Sequence, residues 1–500
     1  MMTQAARASS VRIPTAPVDC ENWIGGQWEE AHRPHQDVLS PYTGAVIGRV
    51  ALSGPTEVDR AVARAREAAP GWAAMTMKDR AQVLFKLREI LLKECSEIAH
   101  TVAAESGKLH SEAVAGLMKG VEVLEFALSL QNLEQGGRME VSKGVWCEER
   151  RDPLGVVAGI TPFNFPAMVP MWMMPIALGL GNAFVWKPSD KTPLTSRLLA
   201  DAWSRAGLPK GVLTVVQGGV EAVHALCDHP HVRAIGFVGS TPVAQAVYNR
   251  ATAKGKRALC LGGAKNPIIL MPDADPEVVG QGITASYTGC AGQRCMAASL
   301  LLAVGDCDPL IQRVVEESSN LRAGEHYGAI ITHASLDRIT GAIGRAEKAG
   351  AKILLDGRGV KAPEGYGNKG NWLGPTILDR VQPGSEAAAE ELFGPVLSIV
   401  RCKSLEEALQ IQAKIPYGNA VSVFTQLGYV AEEVARRSHA GMVGVNIGVP
   451  VPREPFSFGG TYDSKFGHGD ITGRSAVDFW TDRKKVTMKW SMQKNWNWMS

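Results

Sequence analysis

The sequence predicts an α/β fold in which parallel sheets are covered by helices on both faces. From Leu154 onward, short apolar runs alternate with helical segments about every 20 to 30 residues, which is the spacing of βαβ units. Because the runs are continuously hydrophobic rather than alternating, both faces of each strand are expected to be buried. The runs are LGVVAGI (154–160), AFVWK (183–187), VLTVV (212–216), RAIGFVG (233–239) and KRALCL (256–261). Sheets of this kind bind ligands at the carboxyl ends of their strands.

A second series of the same kind predicts another sheet in another domain. Its runs are NPIIL (266–270), LLLAV (300–304), VLSIV (396–400), VSVF (421–424) and MVGVN (442–446), with a helix predicted over 405–413. Upstream, residues 80–94 place five apolar side chains on one helical face: Val83, Leu84, Leu87, Ile90 and Leu91. This pattern predicts an amphipathic helix that packs on the first sheet.

Two further helices are predicted to start at threonine–proline pairs, Thr192-Pro193 and Thr241-Pro242. A threonine hydroxyl can accept a hydrogen bond from the first turn, and proline suits the first helical position. Each pair directly follows a predicted strand.

Residues 165–186 carry no charge and could pass for a membrane span. Prolines at 166, 170 and 175 argue against that, because lipid cannot replace the helix hydrogen bonds that proline removes. We expect a buried helix followed by the strand 183–187. Residues 1–17 lack the apolar run of a secretory signal and are expected to form a disordered tail.

Composition limits the possible functions. The 500 residues, 45% of them hydrophobic and 21% charged, suffice for two or three domains. The formal net charge is only +3 and basic residues are mixed with acidic ones, so no nucleic-acid footprint is present. Nine cysteines without regular spacing favour reduced thiols and a cytoplasmic location.

The stretch TGCAGQRCMAA, residues 288–298, places Cys290 and Cys295 five positions apart. A disulfide does not suit a reducing compartment, and no further ligands at matching spacing support a metal site. The histidines of CDHPH (227–231) fit a solvated turn better than a metal centre. A buried thiol and a nucleophile remain open for the pair, and the cationic Arg294 would favour a thiolate or an anionic substrate nearby.

Two strand ends could hold a cofactor. FVGST (237–241) ends a strand where free amides and a helix dipole could receive phosphate, although an ordinary turn has the same sequence features. WKPSD puts Lys187 and Asp190 where a ribose could be bound, or marks a simple turn. No G-x-G-x-x-G follows a suitable strand, so the usual dinucleotide fingerprint is absent.

Five motifs in one order carry a family resemblance. They are TPFNFP (161–166), WKPSD (186–190), FVGST (237–241), GQRCMA (292–297) and EELFGPV (390–396). In this order and spacing they resemble the aldehyde dehydrogenase superfamily over nearly the whole chain. PFNFPAMVPMW, GGAKN, AGQRCMA and PFSFGG are most similar to the methylmalonate and malonate semialdehyde dehydrogenases, which form the CoA-acylating branch.

The resemblance implies a three-part architecture. A Rossmann-like NAD domain without the glycine fingerprint would comprise residues 18–137 and 153–261, and a catalytic α/β domain residues 262–460. Residues 138–152 and 478–500 would form a β oligomerisation flap, giving the tryptophan-rich terminus a subunit partner. We therefore expect a homotetramer arranged as a dimer of dimers.

The resemblance also assigns roles to residues. Cys295 matches the nucleophile, and Asn164 matches the amide that stabilises the oxyanion together with the Cys295 N–H. Thiolate attack on an aldehyde does create a charged oxygen that needs such donors. Matches to the NAD site are Thr161, Phe163, Lys187, Asp190, Gly219, Gly239, Ser240, Glu391 and Phe393. Asp190 stands where the family usually has glutamate.

Two departures from the family pattern bear on the mechanism. Cys260 stands where hydrolytic members carry the glutamate that activates water, and a thiol of ordinary pKa is poorly suited to that work. CoA needs less help because its own thiol is a good nucleophile. The branch also binds a substrate carboxylate with two arginines: Arg294 matches one, but Val114 stands at the other predicted position. The substrate could therefore be an aldehyde without a carboxylate.

The leading prediction is thus NAD-dependent aldehyde oxidation with transfer of the acyl group to CoA. One alternative is a hydrolytic NAD(P)-dependent aldehyde dehydrogenase that recruits another base. The other is a non-catalytic oligomer of the same fold. No metal, nucleic acid or membrane is expected as a partner.

Overall fold

The computed structural model describes residues 11–29, 34–133 and 136–490. Up to residue 133 the elements are β1 (Val18–Cys20), β2 (Trp23–Ile24), β3 (Gln27–Trp28), β4 (His35–Leu39), β5 (Val46–Ala51), α1 (Pro55–Ala74), α2 (Met77–Lys93), α3 (Cys95–Ser106) and α4 (His110–Ser129). Next come β6 (Gly137–Ser142), β7 (Val145–Pro153), β8 (Val156–Ile160), α5 (Met168–Gly179), β9 (Ala183–Lys187), α6 (Leu194–Arg205), β10 (Leu213–Val215), α7 (Val220–Asp228), β11 (Ala234–Val238), α8 (Thr241–Thr252) and β12 (Arg257–Leu261).

The second half continues the alternation of strands and helices. Its elements are β13 (Asn266–Leu270), α9 (Pro276–Thr288), β14 (Ala298–Val304), α10 (Asp308–Ser319), α11 (His333–Lys348), β15 (Lys352–Leu355), β16 (Thr376–Asp379), α12 (Glu386–Ala389), β17 (Val396–Cys402), α13 (Leu405–Ala413), β18 (Tyr417–Gly418), β19 (Ala420–Phe424), α14 (Gly428–Arg437) and β20 (Met442–Val445). The last are β21 (Thr461–Tyr462), β22 (Lys465–Phe466), α15 (Gly473–Phe479) and β23 (Thr481–Lys489). Short 3₁₀ turns lie at Leu130–Asn132 and Gly289–Gly292.

The first large sheet has eight strands in the order β22-β12-β11-β8-β9-β10-β2-β3. Its five central strands are parallel and correspond to the five apolar runs predicted from the sequence. Successive side chains enter different clusters: Val157 packs in one core, whereas Val156 and Ala158 pack in another on the opposite face. Covering both faces explains why these strands are continuously hydrophobic.

The second large sheet has seven strands in the order β15-β16-β17-β14-β13-β19-β20. All neighbours are parallel except the edge pair β15 and β16. Here too the side chains alternate between two cores, with Ile269 on one face and Ile268 and Leu270 on the other. The predicted second α/β series is therefore present, and α13 covers the predicted range.

A third sheet joins two distant parts of the chain. Its strand order is β23-β7-β6, and β23 pairs with β7 antiparallel from Thr481 opposite Pro153 to Lys489 opposite Val145. Every residue of β6 is exposed. The sheet contains most of the predicted flap, although residues 491–500 lie outside the described part. The domain boundaries stay a prediction.

The predicted threonine caps are wrong. Helix α6 begins at Leu194 with Pro193 in the capping position, and a carboxylate from α3 takes the role of the hydroxyl. The Leu194 and Thr195 N–H groups donate to the buried Glu105 side chain at 2.7 and 3.0 Å. Helix α8 starts one residue earlier than expected, so Ser240 is the capping residue and Thr241 lies within the first turn.

The N-terminal segment and the uncharged stretch 165–186 are both packed against the rest of the fold. Of the predicted tail, residues 1–10 lie outside the described part, but Val11 is buried and its N–H donates to the Tyr366 hydroxyl at 3.3 Å. The packed chain thus starts before residue 18. Residues 165–186 contain α5 and β9, both buried throughout. Among the described helices, none is both long and apolar enough to span a bilayer.

Candidate active site

Two sheet edges converge on one site. Thr161, Gly219 and Gly239 each follow the last residue of a strand of the eight-stranded sheet, or lie a few residues beyond it, at the carboxyl ends. Cys295 lies three residues before β14, at the amino edge of the seven-stranded sheet. The Asn164 amide bridges the two edges, because its Nδ2 donates to the Gln293 carbonyl at 3.0 Å.

The loop that carries Cys295 starts with an unusual turn. Cys290 and Ala291 have φ values of 54° and 52°, and Gly292 follows at 70°. A Cβ on Gly292 would lie 2.1 Å from the Gly394 carbonyl oxygen, so only glycine fits there. The buried Cys290 donates its N–H to Glu112 at 2.5 Å. Cys290 is thus a packed residue of the turn, and all nine cysteines are free.

Gln293 fixes the middle of the loop. Its Nε2 donates to the Ala329 carbonyl at 3.1 Å, and its Oε1 accepts the Ile331 N–H at 2.9 Å. Its own carbonyl receives the Asn164 amide. An amide nitrogen carries two hydrogens, so the Asn164 Nδ2 keeps one that this bond does not use.

Two residues that the sequence interpretation missed hold the Cys295 carbonyl. Asn266 Nδ2 donates to it at 2.7 Å, and Asn419 Nδ2 donates to it at 2.9 Å. Asn266 also donates to the Ala297 carbonyl at 3.1 Å and accepts the Ala420 N–H at 3.0 Å. Asn266 opens one predicted run and Asn419 stands two residues before another, and an asparagine at a strand end was the available signal, since asparagine is uncommon in strands.

The Cys295 thiol is half-buried, and its surroundings favour the protonated form. Burial raises its pKa to about 12, and the nearby Glu391 carboxylate also raises it. Its own backbone N–H, Arg294 and Lys108 lower that pKa. Lys108, another residue missed from sequence, is buried with its Nζ 3.7 Å from the centroid of the Phe165 ring. In the free protein the thiol therefore rests in its protonated form.

Glu391 and two aromatic rings line the other side of the site. Glu391 Oε1 accepts the Ala264 N–H at 3.1 Å. Burial raises the Glu391 pKa to about 7, while this hydrogen bond, the buried Lys265 and the exposed Arg338 lower it. The Phe163 and Phe393 rings meet edge to face with centroids 5.8 Å apart. Four sequence-predicted residues, Glu391, Phe393, Phe163 and Cys295, thus surround one space.

The remaining cofactor candidates lie along the carboxyl edge. Lys187 ends β9, and burial lowers its pKa to about 8, while Asp190 raises it. The Lys187 carbonyl accepts the Thr161 N–H at 3.1 Å. Gly219 is the capping residue of α7, and the exposed Ser240 caps α8 without a side-chain hydrogen bond to the helix. A buried amine and the N–H groups of helix N-termini as donors, with a carboxylate as acceptor, form a set that fits a dinucleotide.

The predicted substrate arginine is engaged by the protein itself. Arg294 Nη2 donates to the carbonyls of Ala285 and Ser286, near the end of α9, at 2.5 and 2.9 Å. Val114, on α4, is partly buried against the same core as Cys295. The lysine on the same helix, Lys119, pairs with Glu122 and Glu454 at 3.0 and 3.2 Å and therefore does not replace the missing arginine.

Cys260 lies in β12 with its side chain in the core between the first sheet and its helices. It is fully buried, and burial raises its thiol pKa far above the ordinary value, with a smaller contribution from Cys227. It therefore stays neutral and cannot activate water.

Across the described residues, no group of three or more His, Cys, Asp or Glu side chains could hold a metal ion.

Comparisons with known proteins agree with this geometry. The aldehyde dehydrogenase family model matches residues 28–486. Malonate-semialdehyde dehydrogenase 1 of Geobacillus thermodenitrificans is 41% identical over 479 residues, covering 94% of this chain and 98% of that protein. The malonate-semialdehyde dehydrogenase of Halalkalibacterium halodurans is 39% identical, with coverage of 94% and 98%.

Solved structures give the same result. A protein of Sinorhizobium meliloti described as a methylmalonate-semialdehyde dehydrogenase, in complex with NAD, superposes with a TM-score of 0.94 at 38% identity, covering 96% of this chain and 99% of that one. The methylmalonate-semialdehyde dehydrogenase of Oceanimonas doudoroffii gives 0.93 at 38% identity, with coverage of 95% and 99%. The predicted fold and family resemblance are confirmed: the chain belongs to the aldehyde dehydrogenase family.

Proposed function

We propose that this enzyme oxidises an aldehyde with NAD and transfers the acyl group to CoA. The observation that carries the proposal is that a neutral, buried Cys260 stands where a water-activating base would be expected. The loop that carries Cys295 is nevertheless held in place by Asn164 and Gln293. The relatives named as malonate- and methylmalonate-semialdehyde dehydrogenases support it, as does the neighbour solved with NAD.

The first step would be loss of the Cys295 thiol proton to solvent and attack of the resulting thiolate on the aldehyde carbon, which forms a carbon–sulfur bond while the carbonyl double bond opens to an oxyanion. The resulting oxyanion would accept hydrogen bonds from the Cys295 N–H and from the free hydrogen of Asn164 Nδ2. NAD, when bound, supplies the acceptor for the hydride that leaves this carbon. The Cys295 sulfur then holds the acyl group as a thioester until the CoA thiolate attacks the carbonyl and the Cys295 thiolate leaves.

The chain's own residues would orient the cofactor. Lys187 and Asp190 would bind the adenosine ribose, and the first turn of α8 at Ser240, with Gly239, would face the phosphates. Thr161 and Gly219 would border the same groove. Glu391 would accept hydrogen bonds from the nicotinamide ribose, while Phe163 and Phe393 would pack beside the ring.

The substrate is proposed to be an aldehyde without a carboxylate. Val114 cannot bind an anion, and Arg294 uses its Nη2 on two helix carbonyls, while its buried Nε has no hydrogen-bond partner among the described residues. A lone arginine already bonded in this way would give little selectivity for a carboxylate. Because relatives are named as semialdehyde dehydrogenases, a semialdehyde is the substrate against which simple aldehydes should be compared.

The test combines NAD, a panel of aliphatic aldehydes and a semialdehyde, with and without CoA, and identifies the product. Acyl-CoA formed only with CoA is expected, with kcat/KM for simple aldehydes at least equal to that for the semialdehyde. Free acid at full rate without CoA would support the hydrolytic alternative. No NADH from any aldehyde, with a Cys295 inert to iodoacetamide, would support the non-catalytic one.

The assembly is proposed to be a homotetramer formed as a dimer of dimers. The three-stranded sheet exposes Met139 and Val141 on β6, and Trp490 beyond β23 is 78% exposed. Apolar side chains presented on a protruding sheet favour burial in a subunit contact. Light scattering coupled to size exclusion measures the mass directly, and a monomer would contradict the proposal. The cytoplasmic location stays a prediction.

A further inference from the structure

We infer that Asn266 and Asn419 act together as positioning residues for the nucleophile. This inference rests on the proposed role of Cys295. Both amides donate to one acceptor, the Cys295 carbonyl, at 2.7 and 2.9 Å. A carbonyl oxygen has two lone pairs, so the two amides satisfy it completely. We name this arrangement the amide clamp.

The fold brings the two asparagines together from distant parts of the sequence. Asn266 is the first residue of β13, and Asn419 directly precedes β19. These strands are parallel neighbours, and β13 also pairs with β14, which follows Cys295. The clamp therefore lies on three adjacent strands of a rigid sheet. Both side chains are buried, with exposures of 4% and 7%, so water competes little for the carbonyl.

The clamp completes the restraint of the loop. Asn164 holds the carbonyl two residues before Cys295, and the clamp holds the carbonyl of Cys295 itself. With the peptides on both sides held, the Cys295 N–H and thiol keep a fixed direction relative to the Asn164 amide. That direction decides whether both donors reach the oxyanion, and small misplacements of reacting groups are costly.

The clamp is always formed, but its effect on rate is expected mainly in the step that creates an oxyanion, which gives it a distinctive kinetic signature. In Asn419→Leu, the single-turnover rate of NADH formation should fall about 10- to 100-fold. NAD affinity should stay within about twofold, and iodoacetamide alkylation of Cys295 within about threefold, because alkylation of a thiolate creates no oxyanion. The double variant Asn266→Ala/Asn419→Leu should lose more than the product of the single losses, because the carbonyl then has no donor.

Asn419→Asp provides a second test. An ionised aspartate would repel the Cys295 carbonyl, whereas a protonated one can donate to it. The ratio of the variant's single-turnover rate to that of the wild type should therefore rise as the pH is lowered from about 8 to about 6. The matched control is Asn182→Asp: Asn182 is equally buried and donates to the Ala177 and Trp480 carbonyls, both at 3.0 Å, at the far edge of the first sheet. For Asn182→Asp, the ratio of its single-turnover rate to that of the wild type should not change with pH.

The outcomes separate this inference from the proposed function. Single-turnover NADH formation needs no CoA, so free acid as product would remove CoA transfer and leave the clamp testable. If the wild type forms no NADH at all, amide hydrogen exchange of residues 293–297 still tests the clamp, with exchange about tenfold faster expected in Asn419→Leu. A wild-type single-turnover rate in that variant would overturn the inference, and so would losses of turnover, alkylation and melting temperature in parallel.

Discussion

The two large sheets contribute opposite edges to the site, and the edges work differently. The eight-stranded sheet presents carboxyl ends, where strands turn into helices and Gly219 and Ser240 cap α7 and α8. The seven-stranded sheet presents amino ends, where Asn266 and Asn419 hold the Cys295 loop by hydrogen bonds. One edge offers helix N-termini to a ligand, and the other immobilises a reactive group.

This difference predicts how strongly the substitution of one residue at each edge should affect ligand affinity or reaction rate. A binding edge distributes its contacts over many positions, so losing one contact weakens affinity modestly. A catalytic edge concentrates the chemistry on one sulfur and the donors around it, so losing one group stops or slows the reaction. Variants that touch the amino edge should therefore have larger effects than those that touch the carboxyl edge.

The largest effect is expected for Cys295→Ala. Removing the nucleophile should reduce NADH formation by more than about 10⁴-fold. NAD binding, followed by fluorescence titration, should remain measurable because the carboxyl edge is intact. Cys290→Ala is the matched control and should keep most of its activity, since Cys290 is a packed residue of the turn. Turnover that persists in Cys295→Ala would remove the nucleophile assignment.

Asn164→Ala should have the next largest effect. Removing one donor to the oxyanion should lower kcat about 10²- to 10³-fold, with little change in the KM for NAD. Asn182→Ala removes a buried amide that donates at the same 3.0 Å distance but far from the loop, and it should affect stability instead. Equal losses of kcat in both variants would contradict the role of Asn164.

The pH dependence of Cys295 alkylation gives an effect of about a hundredfold. Since burial raises the thiol pKa to about 12, the thiolate fraction should rise about tenfold per unit from about pH 7 to about pH 9. The iodoacetamide rate at this residue, followed by peptide mapping, should rise in parallel. A plateau below pH 8 would mean that the free enzyme already stabilises the thiolate.

At the carboxyl edge, Glu391→Gln should weaken NAD binding about tenfold, because a charge-assisted hydrogen bond is lost. The Glu391 pKa is raised to about 7, so the carboxylate is ionised above that pH and neutral below it. NAD affinity of the wild type should therefore fall as the pH drops below 7, and the variant should not show this fall. Glu390→Gln, at the exposed neighbour, is the control and should behave like the wild type.

The smallest effect is expected for Cys260→Ala. The CoA-dependent rate should stay within about twofold, because the neutral thiol has no role in acyl transfer, while unfolding free energy should fall by about 1–2 kcal/mol. Cys227→Ala, in the same core, should show the same pattern. A large loss of kcat in Cys260→Ala alone would indicate that the thiol acts in the reaction.

Much of the site could be predicted because its signals are local. TPFNFP, GQRCMA and EELFGPV identified Asn164, Cys295 and Glu391, and the structure places all three around one space. The clamp could not be predicted, since Asn419 and its acceptor are 124 residues apart in the sequence. The Thr192 cap failed for the same reason, since Glu105, far upstream, reaches the start of α6 first. The Thr241 cap failed locally, because α8 begins one residue earlier at Ser240.

By itself the sequence determined the two parallel sheets, because continuous hydrophobic runs can be buried only where helices cover both faces. It also predicted Cys295 as the nucleophile and showed that residue 260 is a cysteine, without a carboxylate. The tertiary structure decided what surrounds these groups. It brought the amino ends of β13, β14 and β19 together, turned Arg294 toward the carbonyls of α9, and raised the Cys295 pKa by burial. Burial and hydrogen-bond partners depend on which distant segments meet, and packing alone sets that.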